Sequence, residues 1–67
     1  MHEVIHGRHA TYFPYARQRK AGGFWEGAVD IVTDQGKTVH VCDEVHEDSG
    51  DALIDAIVDA LVMANGA

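Results

Sequence analysis

Sixty-seven residues make one domain, residues 1–67, near the lower size limit for a chain that folds on its own hydrophobic core. The single cysteine, Cys42, excludes an internal disulfide, and no run of about 18 apolar residues is present to span a membrane. The net charge of −6 is unevenly divided: Arg8, Arg17, Arg19 and Lys20 stand against Glu3 alone in the first twenty residues, whereas ten acidic residues from Glu26 onward stand against Lys37 alone. Such polarity suits association between copies or steering of a charged partner, and at its plainest keeps the acidic half solvated. A hydrophobic content of 46% is too high for a disordered chain. The start Met1-His2-Glu3-Val4-Ile5-His6 has neither the basic nor the apolar region of a signal peptide, so a reducing cytoplasm is the expected location.

Residues 1–6 read as a loose N-terminal tail or as an extension of the strand that follows. Ala10-Thr11-Tyr12-Phe13-Pro14-Tyr15-Ala16 is rich in strand formers and predicts one strand. Pro14 cannot donate to a ladder, which places that strand at a sheet edge. Arg17 to Gly23 then reads as a loop.

A hairpin follows. Phe24 to Thr33 and Lys37 to Val45 both alternate, with Asp34-Gln35-Gly36 between them. A three-residue loop with glycine third predicts pairing of Thr33 with Lys37. In that register Ile31 faces Val39, Val29 faces Val41 and Trp25 faces Val45, all on one side. Asp30 then opposes His40, Ala28 opposes Cys42 and Glu26 opposes Glu44 on the other side.

The stretch Asp51 to Gly66 reads DALI-DAIV-DALV-MANG, a four-residue period that winds into adjacent ridges on an α-helix. Asp51, Asp55 and Asp59 form a narrow strip, and every other direction is apolar. Asp48 or Ser49 serves as the N-cap, and Asn65-Gly66 predicts a left-handed stop. A helix apolar on three of four sides calls for more than one packing surface. The large ridges suit the sheet, and the alanine ridge would admit a second backbone at close range.

The fold expected is α+β: a three-stranded antiparallel β-meander with one C-terminal helix packed on one face (β-β-β-α). Gly22 to Leu61, and above all Asp48-Ser49-Gly50-Asp51-Ala52-Leu53 leading to Asp59-Ala60-Leu61, resembles the small HicB-like domains of bacteria. That resemblance implies a partial ribonuclease-H-like fold, often the antitoxin half of a toxin–antitoxin pair. The Phe-Pro-Asp-x-Pro-Gly-like segment of those domains is replaced here by the turn Asp34-Gln35-Gly36, so the fold is carried over and no functional residue is. The order of elements is equally similar to that of uncharacterised bacterial β-β-β-α domains.

His40-Val41-Cys42-Asp43-Glu44-Val45-His46 is the most suggestive cluster. His40, Cys42 and His46 offer nitrogen and sulfur donors to zinc, the one metal cofactor the composition suggests. Donors along one straight strand diverge, so a site would need help from Asp30, Glu26 or the N-terminal histidines His2, His6 and His9. The alternative is a solvent-facing polar strand side on which Asp30 and His40 pair across strands. Cys42 beside His40 lacks an oxyanion loop and a third orienting residue, so catalysis is not expected. Arg17, Arg19 and Lys20 near Tyr12, Phe13 and Tyr15 would suit phosphates and bases, against the acidic charge of the whole. The expectation is a non-enzymatic interaction or regulatory module, homodimeric, that meets a protein partner through a sheet edge or through an open sheet face carrying Glu26, Asp30, His40, Cys42 and Glu44. Nucleic-acid association through the basic loop and metal binding are the alternatives.

Overall fold

The computed structural model describes residues 3–66. Four strands and one helix follow in order: β1 (Ile5–His6), β2 (Thr11–Gln18), β3 (Trp25–Thr33), β4 (Gly36–His46) and α1 (Ser49–Gly66). The strands form one antiparallel sheet in the order β1-β2-β3-β4, and α1 lies across one face of it. The architecture is therefore α+β, with four strands rather than the expected three. The added strand comes from the supposed tail: Ile5 pairs with Tyr12 and His6 with Thr11. A tight connection allows this, closed by Gly7 N–H donating to Ala10 O at 2.9 Å. Met1 and His2 lie outside the described residues.

β1 covers only the first two residues of β2, so Pro14 sits where that strand is again a sheet edge. Arg17 and Gln18 belong to β2, paired with Glu26 and Trp25, so the loop is shorter than expected. It turns through Gly22 and Gly23, at φ +83° and +70°.

The hairpin register differs from the expected one by a single residue. Thr33 pairs with Gly36, Ile31 with Thr38, Val29 with His40 and Ala28 with Val41. The turn is the two residues Asp34 and Gln35, and Gly36 at φ +134° is already in the strand. Thr33 is the cause: its Oγ1 accepts from Gln35 N–H at 3.1 Å and donates to Gly36 O at 3.4 Å, closing the chain one residue sooner. A slip of one residue turns every β4 side chain to the opposite face. Val39, Val41 and Val45 thus point away from the helix, and His40, Cys42 and His46 point toward it. Lower in the hairpin, Cys42 to Glu44 run past Gly27 alone, so β4 bulges; the two additional residues leave its alternation intact.

α1 begins as expected. Asp48 Oδ1 accepts from Gly50 N–H at 2.7 Å, and Asp48 O accepts from Ala52 N–H at 3.3 Å. Its end is not the expected left-handed stop, since the helix continues through Gly66 and, among the described residues, only Gly22, Gly23 and Gly36 have positive φ. The alanine ridge, not the large one, enters the core: Ala52, Ala56 and Ala60 are fully buried. Ala56 and Ala60 lie on Val29, Cys42 and Tyr12, with Ile5, Ala10, Ile31, Met63 and Ala64 packed around them, and Ala52 lies over Gly27. The small ridge wins because the sheet approaches closely at Gly27. A Cβ there would stand 2.6 Å from Ala52 O and 3.1 Å from Ala56 Cβ. Trp25, at the start of β3, is half-buried and pairs with His46 rather than Val45.

Candidate functional site

Two layers turned inside out meet along β4. A surface helix ordinarily sends its carboxylates to water and its aliphatic ridge inward. Here Ile54, Val58, Leu61 and Val62 are exposed, at 61%, 51%, 45% and 65%, while Asp55 and Asp59 bend toward the sheet. The edge strand β4 is inverted in the same sense, valines out and histidines in. The two polar rows meet: His40 Nε2 lies 2.9 Å from Asp59 Oδ2, and His46 Nε2 lies 3.2 Å from Asp55 Oδ2. The histidines are six residues apart and the aspartates four. The β4 bulge at Cys42 to Glu44 lies between the two histidines.

Cys42 lies at the floor of the first pair, 5% exposed and without a disulfide partner. Burial pushes its thiol up to about 12, and hydrogen bonding to Asp59 acts in the same direction. Asp59 is held below the usual carboxylate range by its hydrogen bonds from His40 and Cys42. The carboxylate thus stands between imidazole and thiol and stabilises the protonated sulfur. That is the reverse of an activated cysteine nucleophile, which needs a lowered pKa.

The donor atoms of His40, Cys42 and Asp59 lie within 4.8 Å of one another, and so do those of Glu44, His46 and Asp55. The three residues first grouped as metal donors are therefore divided: His40 and Cys42 share one cluster, and His46 belongs to the other. Among the described residues the missing help comes from the helix, not from Asp30, Glu26, His6 or His9; His2 lies outside them. Asp55 and Asp59 were legible only as a polar strip. Two aspartates one turn apart on a helix otherwise apolar were the one signal that something polar waited opposite them.

The five residues assigned to one open face are likewise split. Glu26 and Asp30 lie on the face away from the helix; His40, Cys42 and Glu44 alternate onto the helix side. On the uncovered face Arg17 Nε sits 2.6 Å from Glu26 Oε2 and Arg19 Nε 3.8 Å from Glu26 Oε1, while Lys37 Nζ lies 3.8 Å from Asp30 Oδ2. Of the basic residues considered for nucleic acid, two converge on one carboxylate, and Lys20 lies beside them in the exposed loop. Tyr15, next to Asp30, is raised above the ordinary phenol range, first by burial and then by that carboxylate. Around these charges Phe13, Val32, Val39 and Val45 are 37–48% exposed.

Among the described residues no helix is long and apolar enough to cross a membrane. No family model, curated protein or solved structure matches this chain.

Proposed function

We propose that this chain is a non-enzymatic interaction module that acts as a homodimer, two copies packing through the outward ridge of α1. The observation that carries the reading is the inverted helix: Ile54, Val58, Leu61 and Val62 face solvent while three alanines face the core. The accessible surface, 4671 Å², exceeds the roughly 4,200 Å² expected for a folded monomer of this mass. The only large side chain wholly removed from water among the described residues is Val29, a thin core for a chain with no disulfide.

A second copy is the simplest occupant. Outward, the ridge at positions 54, 58, 61 and 62 is uncharged apart from Asp51 at the helix start, so two copies meet apolar to apolar. Fully burying one such side chain contributes about 1.5–3 kcal/mol, and these are already about half covered. Four per copy, in two copies, then supply on the order of 6–12 kcal/mol against an association cost of similar size. The ridge by itself therefore supports a weak dimer, populated only at high protein concentration.

Sedimentation velocity over a concentration series tests it. Val58→Asp, on the exposed ridge, should give a folded monomer at concentrations where the parent is dimeric. Val39→Asp, on the uncovered sheet face, should leave the dimer intact. A parent that stays monomeric at millimolar concentration overturns the dimer, and loss of the dimer only in Val39→Asp moves the interface to the sheet.

A further inference from the structure

We infer that His40, Cys42 and Asp59 form a binding site for a zinc-class divalent cation, with three protein donors and a fourth position left for water. The inference is independent of the dimer. Imidazole nitrogen, thiolate sulfur and carboxylate oxygen are the three donor types that zinc takes, and a site with three of them leaves one position exchangeable. They come from two elements that meet at an angle, so they converge as donors along one strand cannot. Tetrahedral bonds of about 2.0–2.3 Å place donor atoms roughly 3.3–3.7 Å apart. The observed 2.9 Å between His40 and Asp59, and the 4.8 Å limit on all three, lie within a side-chain rotation of that spacing.

The site has a floor and an opening. Cys42 is buried beneath, while the side chains of His40 and Asp59 are 40% and 35% exposed at the rim, so a hydrated ion has a path in. The inward turn of Asp59, on a helix whose aliphatic ridge is left in water, is what brings the third donor to the pair. On binding, the metal–sulfur bond replaces the Cys42 S–H bond and the proton passes to solvent, so no redox partner is needed. The neighbouring cluster of Glu44, His46 and Asp55 has two carboxylates and one imidazole but no sulfur, and Glu44 is exposed. It is the poorer match for a borderline ion and serves as an internal comparison.

The test is titration of the untagged chain with cobalt(II), followed by zinc(II) in competition with a chromophoric chelator. The expected result is one cobalt per chain, with tetrahedral visible bands and a near-ultraviolet thiolate-to-cobalt band. Cys42→Ser should abolish the thiolate band. His40→Gln and Asp59→Asn should each weaken zinc binding by about tenfold or more, and His46→Gln should leave it within about threefold. The parent spectrum decides the matter even if a variant fails to fold. Cobalt uptake without the thiolate band, no uptake at all, or equal weakening by His46→Gln overturns the assignment.

Discussion

Replacing Gly27 by alanine should destabilise the fold and loosen the histidine–aspartate pairs with it. The added methyl would lie 2.6 Å from Ala52 O, 3.0 Å from Ala56 N and 3.1 Å from Ala56 Cβ. Carbon atoms attract best at about 3.5–4.0 Å, so α1 must retreat by roughly 0.5–1 Å. None of the three is the tip of a flexible side chain, so only movement of the helix relieves the contact. Overpacking of this kind costs about 1–3 kcal/mol, and the lower chain entropy of unfolded alanine returns about 0.4–1 kcal/mol. A net loss of about 1–2 kcal/mol should lower Tm by about 4–16 °C in a domain of this size. Urea denaturation followed by the fluorescence of Trp25, the one tryptophan, measures it at matched protein concentration. The same retreat would stretch the 3.2 Å His46–Asp55 contact past hydrogen-bonding range, visible as a change in the His46 ring resonances. A Gly27→Ala variant as stable as the parent, with those resonances unmoved, would refute the close approach on which the alanine packing depends.

Cys42 should be unreactive in the folded chain: at pH 8 its thiolate fraction is about 10³-fold below that of a free thiol, from the rise to about 12. Ellman's reagent should therefore react slowly until urea unfolds the chain, and a rapid native reaction would contradict the buried position. Because this thiol is raised on folding, it favours the folded state below about pH 9, and that contribution is lost as pH climbs toward 12. Asp59 behaves oppositely. Its depressed carboxyl stabilises the fold above its unfolded value of about 3.9, and the contribution disappears as pH falls through the lower folded value. The stability difference between the parent and Asp59→Asn should thus be largest near neutrality and shrink in acid; a gap unchanged down to pH 2 would exclude the charge as its source. Gly36→Ala should cost about 1–3 kcal/mol in urea titrations through backbone strain alone, since its φ is +134° and nothing lies within 4 Å of the new methyl. An unaltered midpoint would mean that the turn relaxes to another register.

The helix was legible because a four-residue repeat of aspartate, alanine and aliphatics has one periodic solution, and Asp48 caps it as the residue types imply. Pro14 marked a sheet edge for a reason internal to its own ring, the missing N–H. Asp34-Gln35-Gly36, by contrast, is compatible with a two- or a three-residue loop. Hydrophobic alternation favoured the three-residue loop, which gathers Trp25, Val29 and Ile31 with Val39, Val41 and Val45, whereas the observed register puts the two sets on opposite faces. A local contact of one hydroxyl, Thr33 Oγ1, accompanies the two-residue turn, and the tertiary structure adds the row of alanines that β3 approaches most closely at Gly27. Side-chain pattern states which residues share a face. Which face meets the helix depends on how near two backbones can come, and that distance is a property of the assembled layers. His40 and Cys42 met Asp59, and His46 met Asp55, only once both elements had turned their larger apolar residues outward.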